Sequence, residues 1–279
     1  MWEYSRPFVD LKSGYLICDD SVLDHWYGEG IKLAKWQYSG THHKVVYGIG
    51  LTTLLWTDGS GEKHIPINFR VYAKSQDGYT KNDHFRQMLI LAKHKKFAPQ
   101  YVLFDSWYSV VKTLHQLNDW KWKFVCGLQS NRKVADIKGK PYKKLSEIGV
   151  PDEGAILHLK DFGSIKVFCI VAKKGKVQYL ATNSFSLTFP DIQDVAARRW
   201  RVEEYHRGLK QVTGVEMCQA RTGRSQRTHI FCSILSFLAL EKKRLEEGIT
   251  WYEAKRKIIS DALFSYLASP MIPLPVPAG

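Results

Sequence analysis

Hydrophobic and polar positions divide most of the chain into strands and helices. YLICDDS, residues 15–21, is a short β-prone apolar run stopped by two aspartates, the pattern of a buried strand ending at a polar edge. KVVYGIGLTTLLW (44–56) is long, β-branched and aromatic. The turn signal TDGSGE follows it, and KHIPINFRVYA (63–73) alternates as a hairpin partner would. Three strands therefore come first. Residues 82–97 open on Asn82 and close on basic side chains, as a capped helix with a favourable dipole does. YVLFDSWYS (101–109) repeats the first design, an apolar strand delivering Asp105, and YSVVKTLHQLND (108–119) predicts the next helix.

A further strand is expected at 123–130. From 131 to 187 the pattern turns to Gly-, Lys- and Ser-rich turns between β-like runs, with the clearest meander in AILHLKDFGSIKVFCIVAKKGKVQYLATN. Residues 189–214 then predict one helix, with Pro190 in its first turn and Gly214 as its stop, and two more helices follow at about 224–246 and 250–268. No internal repeat is present, and the ending PMIPLPVPAG predicts a loose tail over 271–279. The order gives an α/β fold with a mixed sheet flanked by helices: a first part of the core at 1–130, a β-rich insertion at 131–187 and a helical part at 188–270. In such sheets ligands gather at the carboxyl ends of strands, where Asp19 and Asp105 are expected.

Charge narrows the class of partner. Lys plus Arg outnumber Asp plus Glu by 41 to 27 in 279 residues, a formal net charge of +14 that points to a polyanion, nucleic acid first. The surplus is clustered in KHKKF (93–97), KWK (121–123), KGKPYKK (138–144) and KKGK (173–176), mostly beside aromatics. The five cysteines are odd in number and widely spaced without a C-x-x-C pair, which suggests neither a disulfide framework nor a zinc knuckle and predicts a reducing compartment. No apolar run reaches the roughly 18 residues of a membrane span. The first residues lack the apolar centre of a signal peptide, so a soluble, intracellular protein is expected.

The chemistry rests on carboxylates. Asp19 and Asp105 emerging from neighbouring strands, joined by a glutamate from the late helix, would form a hard-oxygen set suited to Mg²⁺ or Mn²⁺. Two such ions about 4 Å apart clamp the attacking and leaving oxygens of phosphoryl displacement. In RRWRVEEYHRGLK (198–210), Arg199, Arg207 and Lys210 all fall within about 40° of Glu203 on a helical wheel. Val195, Val202, Tyr205 and Leu209 occupy an adjoining arc that would be buried, while Glu204 sits about 100° away. An ordinary salt-bridge ladder would look similar, but cations beside a metal-binding carboxylate can also grip phosphates. His42 and His43 would point to opposite faces of a strand, so they are not a shared ligand pair. His206 faces the charged stripe and is a candidate DNA contact; His229 reads as a packing or local capping residue and Cys218 as a packing residue.

LICDDS, VLFDSWYS and RRWRVEEYHRGLKQVTGVEMCQAR together resemble bacterial insertion-sequence transposases of the DDE type, over about residues 15–245. The subgroup with a β-strand insertion before the Glu is similar. Its signature is Tyr, two residues, Arg, three residues, Glu, six residues, Lys; Arg199, Glu203 and Lys210 keep that spacing, and Ala196 stands where the Tyr belongs.

The resemblance implies an RNase H-like catalytic core in which Asp19, Asp105 and Glu203 are catalytic and hold two Mg²⁺ (or Mn²⁺) ions. Arg199, Trp200, Arg207 and Lys210 would then be DNA-binding, with Trp200 stacking on distorted DNA. The usual Asp, any residue, Thr or Ser pattern favours Asp19 over Asp20, with Ser21 in the hydroxyl position. Relatives commonly carry a Lys soon after the first Asp; here either His25 stands in its place or that contact is absent. The chain also starts almost on the first strand, without the N-terminal helical region that usually recognises transposon ends, so a fragment, a mis-started reading frame or a stripped-down core is expected.

The expected partners are double-stranded DNA, as transposon ends and target, and a second copy in a homodimer on DNA, in the bacterial cytoplasm and nucleoid. The expected activity is metal-dependent cleavage and strand transfer. The rival expectations are a catalytically inactive, domesticated transposase-derived DNA-binding protein and, third, a general RNase H-like nuclease.

Overall fold

A computed structural model describes residues 1–26, 28–40, 43–136, 141–171 and 177–269. His42, residues 138–140 of the basic run 138–144, the whole run 173–176 and the tail from 270 lie outside these residues. In chain order the elements are α1 (Trp2–Ser5), β1 (Tyr15–Asp24), β2 (Lys35–Ser39), β3 (Lys44–Thr57), β4 (Ile65–Tyr72), α2 (Lys74–Asp77), α3 (Lys81–His94), β5 (Tyr101–Phe104), α4 (Val111–Asp119), β6 (Phe124–Leu128), β7 (Lys133–Ala135), β8 (Lys143–Lys144), β9 (Ala155–Leu159), β10 (Gly163–Val171), β11 (Val177–Thr182), α5 (Phe189–Ala197), α6 (Trp200–Thr213), α7 (Gly223–Glu247) and α8 (Trp251–Ala268).

All described strands join one sheet in the order β2-β3-β1-β5-β6-β11-β10-β9-β7-β8, with β4 also paired to β3. β1, β5 and β6 run parallel, and β3 runs antiparallel to β1, β2 and β4. It is an α/β mixed sheet flanked by helices, consistent with the RNase H-like plan. The β-rich stretch is a continuation of that sheet, because β11 pairs with β6 from Tyr179↔Leu128 to Thr182↔Val125.

Period-two alternation divides the core between the two faces. Leu16, Cys18, Leu54, Trp56 and Phe104 pack with Phe85, Met88 and Leu114 from α3 and α4. Ile17, Leu51 and Leu55 pack on the other face with Val202, Tyr205 and Leu209 of α6 and with Ile234 and Phe237 of α7. Each such fully buried side chain contributes roughly 1.5–3 kcal/mol relative to exposure. Val195, Val202, Tyr205 and Leu209 are all buried, as the wheel predicts. Gly208 lets α6 lie close to its neighbours: a Cβ there would stand 2.9 Å from the Trp251 ring and 3.0 Å from Phe237.

A buried carboxylate ties these helices to the sheet. Glu241 of α7 accepts the His64 backbone N–H at 2.7 Å, the Trp251 indole N–H at 2.6 Å and Arg244 Nε at 2.7 Å. Burial alone would raise its pKa, but the hydrogen bonds from Arg244 and His64 bring it down to about 2.

Four local expectations change. β1 does not stop at the aspartates; it runs on to Asp24 because Ser21 to Asp24 find partners along β3. β2 is an additional strand, alternating Trp36 and Tyr38 with Lys35, Gln37 and Ser39 and paired only with β3. The third helix begins one residue before Asn82, capped reciprocally by Thr80 and Asp83. The expected single helix over 189–214 is two, broken at Arg198 and Arg199, where the i→i+3 bonds from Arg201 to Arg198 and from Val202 to Arg199 tighten the turn. Arg198 reinforces the break by donating to the Asp194 carbonyl at 2.8 Å and to Gly59 across the loop at 3.0 Å.

Candidate active site

β1 and β5 are parallel neighbours in register from Tyr15↔Tyr101 to Cys18↔Phe104. The next residues along these strands are Asp19 and Asp105, so the sheet sets the two carboxylates side by side. Asp105 is held by the turn it begins, its Oδ1 accepting the N–H groups of Trp107 at 2.9 Å and Tyr108 at 3.3 Å. Asp19 Oδ1 accepts the Asp20 N–H at 2.8 Å. Glu203 comes from the first turn of α6, where the helix dipole favours a carboxylate.

Arg199, at the helix break, connects the set: Nη1 lies 3.2 Å from Asp19 Oδ2 and Nη2 lies 3.5 Å from Glu203 Oε1. All three acids are pushed above their ordinary range. Burial first, then the charge of Asp105, raises Asp19 to about 8 against the pull of Arg199. Burial raises Asp105 and Glu203 as well, the latter again opposed by Arg199. A group of acids that resists ionisation together is one that a cation would stabilise. Among the described residues, no three acidic, His or Cys side chains are close enough to hold a metal ion as they stand; the guanidinium occupies the space between two of them.

Asp20 points the other way. Tyr108 donates its hydroxyl to Asp20 Oδ1 at 2.7 Å, and the Lys81 ammonium pairs with Oδ2. Lys81 thus brings the cation near the first aspartates for which the sequence suggested His25. His25 is buried, with Nε2 lacking a hydrogen-bond partner. Neither Lys81 nor Tyr108 was expected. Tyr108 lies three residues beyond Asp105 and could have been flagged from DSWY, whereas nothing local marks Lys81, which is 61 residues from its partner.

The acids open into a cleft of about 920 Å³, whose lining includes Trp200, Arg207, Lys210 and Tyr38. Trp200 is half exposed and Arg207 exposed. Lys210 lies in the cleft but donates to the Val22 carbonyl and pairs with Glu216 at 2.9 Å rather than with Glu203. His206 is corrected from a surface contact to a buried residue, its Nε2 3.2 Å from Thr53 Oγ1 and its pKa lowered by burial to about 4. It sits on the wheel at the margin between the charged stripe and the apolar arc. Glu204 turns away to His64 at 3.0 Å and Arg201 at 2.7 Å. Ala196 stands at the end of α5, packed against the core beside a second, smaller cleft that shares Asp105 and Arg199.

Among the described residues no helix is long and apolar enough to cross a membrane. No curated protein matches the chain in sequence. Residues 14–238, which include Asp19, Asp105 and Glu203, match the transposase DDE domain, and the chain belongs to that family.

Proposed function

We propose that this transposase cuts DNA at the ends of an insertion sequence and joins the cut end to target DNA, with Asp19, Asp105 and Glu203 as its catalytic carboxylates. The observation that carries the reading is the convergence of Asp19 and Asp105, on adjacent parallel strands, with Glu203 around the Arg199 guanidinium. The donor set fits hard divalent cations: three carboxylates, all with raised pKa values, arranged about a positive group. Asp19, Asp105 and Glu203 would hold two Mg²⁺ or Mn²⁺ ions. When bound, such ions supply charge neutralisation at the scissile phosphate and at the attacking and leaving oxygens.

The rest of the work falls to side chains of the cleft. Arg199 and Arg207 offer guanidinium forks to the flanking phosphates, and Lys210 adds a point charge. Trp200, beside Arg199 and half exposed, offers a ring on which a displaced base can stack. No protein nucleophile is required, because positioning and charge carry phosphoryl transfer.

The test is nicking of supercoiled plasmid in Mg²⁺ and Mn²⁺ by the wild type and by Glu203→Gln. The wild type nicks, and the variant does not while keeping its affinity for double-stranded DNA; nicking retained in the variant overturns the assignment. Ala196, where the subgroup signature has Tyr, favours a second reading, a DNA-binding protein without catalysis. That reading predicts no nicking by the wild type at any metal concentration.

A further inference from the structure

The β2–β3 hairpin carries an aromatic surface that the catalytic proposal leaves unused. Pairing sets Trp36 opposite Tyr47 and Tyr38 opposite Val45. Trp36, Tyr38 and Val45 are exposed at 68%, 60% and 55%, and the Trp36 ring meets Tyr47 edge-on at 5.4 Å. Edge strands usually carry charges that discourage association, so large exposed rings on one call for an explanation.

The location of this surface indicates its use. Tyr47 and Thr53 lie six residues apart on β3, an even number, so their side chains share a face of the sheet. Thr53 is the partner of Asp19 in the ladder. The aromatic surface therefore continues the face that carries Asp19, and Tyr38 lines the same cleft as Asp19 and Glu203. Lys210 and the exposed Arg207 line that cleft too. At the hairpin itself, Lys44 stands 4.9 Å over the Trp26 ring.

Flat exposed rings in line with a basic cleft are the composition that binds single-stranded nucleic acid, with stacked bases on the rings and phosphates on the cations. Duplex DNA keeps its bases inside the stack and gains little from such rings. An apolar protein partner would gain nothing from the cations of the adjoining cleft.

We infer that the Trp36–Tyr38 face is a stacking platform for unpaired bases of the DNA strand whose phosphate lies in the cleft. This rests on the transposase reading for the placement of the strand, but not for the stacking itself. Six strand residues at about 3.3 Å each set the near end of the platform, Trp36, about 20 Å from the level of Asp19. That distance matches about six stacked nucleotides at 3.4 Å per nucleotide.

The test is fluorescence anisotropy with a labelled duplex, blunt or carrying a thymidine extension of about ten nucleotides, in Ca²⁺ in place of Mg²⁺. The proteins are the wild type, Trp36→Ala/Tyr38→Ala and Trp36→Phe/Tyr38→Phe. The alanine pair weakens binding of the extended DNA by about tenfold or more and of the blunt duplex by less than about twofold, and the phenylalanine pair restores it. An extension of only one or two nucleotides gives the wild type no gain. Equal losses on both DNAs, or no loss on either, overturn the platform. If the alanine pair melts below the wild type, each single alanine variant is measured instead under the same two criteria. Plasmid nicking is scored separately: an extension effect without nicking keeps the platform and removes the transposase reading, and nicking without an extension effect does the reverse.

Discussion

Arg199 contacts Asp19 across 180 residues of chain at 3.2 Å, so the tip of a late helix neutralises the middle of the first strand. Without a divalent ion, that guanidinium opposes the repulsion between Asp19 and Asp105. Arg199→Ala should lower the melting temperature in metal-free buffer. It should also enlarge the rise produced by Mn²⁺, because a ligand that binds only the folded state stabilises it by mass action. A scanning calorimeter reads both; an unchanged Mn²⁺ response in the variant contradicts this role for Arg199.

Asp19 and Asp20 are adjacent in sequence but engage opposite sides of the sheet. Asp19→Asn should abolish metal-dependent nicking. Asp20→Asn should retain measurable nicking and lose stability instead, by about 1–3 kcal/mol, since it weakens the Lys81 pair and the Tyr108 hydrogen bond in a half-buried place. Urea melts and the plasmid assay together separate the two; the opposite pattern would move the catalytic role to Asp20.

Glu241 makes the α7–α8–β4 junction sensitive to acid. Its folded pKa of about 2 lies below the ordinary value of 4.5, so its contribution is fully present above about pH 4.5 and is lost as pH falls towards 2. The contribution is on the order of 3 kcal/mol. Glu241→Leu, which leaves Arg244 and the Trp251 N–H without their acceptor, should cost about 3–5 kcal/mol at neutral pH and remove that part of the acid dependence. Stability followed against pH by circular dichroism checks both.

His206 adds a second, milder acid limit. Burial against Thr53 lowers its pKa from 6.5 to about 4, so its neutral form is the folded one. Stability from this residue is complete above about pH 6.5 and falls as pH drops towards 4, where the unfolded chain takes up the proton first. His206→Phe should flatten the stability curve between those values, as measured by denaturant titration; an unchanged slope would show that the imidazole is not the group responsible.

Sequence patterning revealed the parts of the site that local physics dictates. Asp105 follows a four-residue buried strand, so an apolar run with an abrupt polar end identifies it. The buried arc beside Glu203 follows from helical periodicity, and the strand-end aspartates mark Glu203 as their partner. What patterning missed depends on distant partners. β2 is only five residues long and buries no apolar side chain, and pairing with β3 makes it a strand. The Lys81–Asp20 pair joins residues on separate elements, and His206 is buried only because α6 settles with that position against Thr53. The continuation of β1 past two aspartates required knowing that Asp20 would find Tyr108 and Lys81.

Strand β3 is 14 residues long and pairs with β1, β2 and β4, so it spans both the level of Asp19 and the aromatic hairpin. Inserting or deleting one residue between Tyr47 and Thr53 would flip Tyr47 to the opposite face. Only paired insertions keep the rings facing the cleft, and each pair lengthens the span by about 7 Å. The strand is thus a ruler graduated in units of two residues, and the gap between the carboxylates and the rings can change only in steps of about two stacked nucleotides.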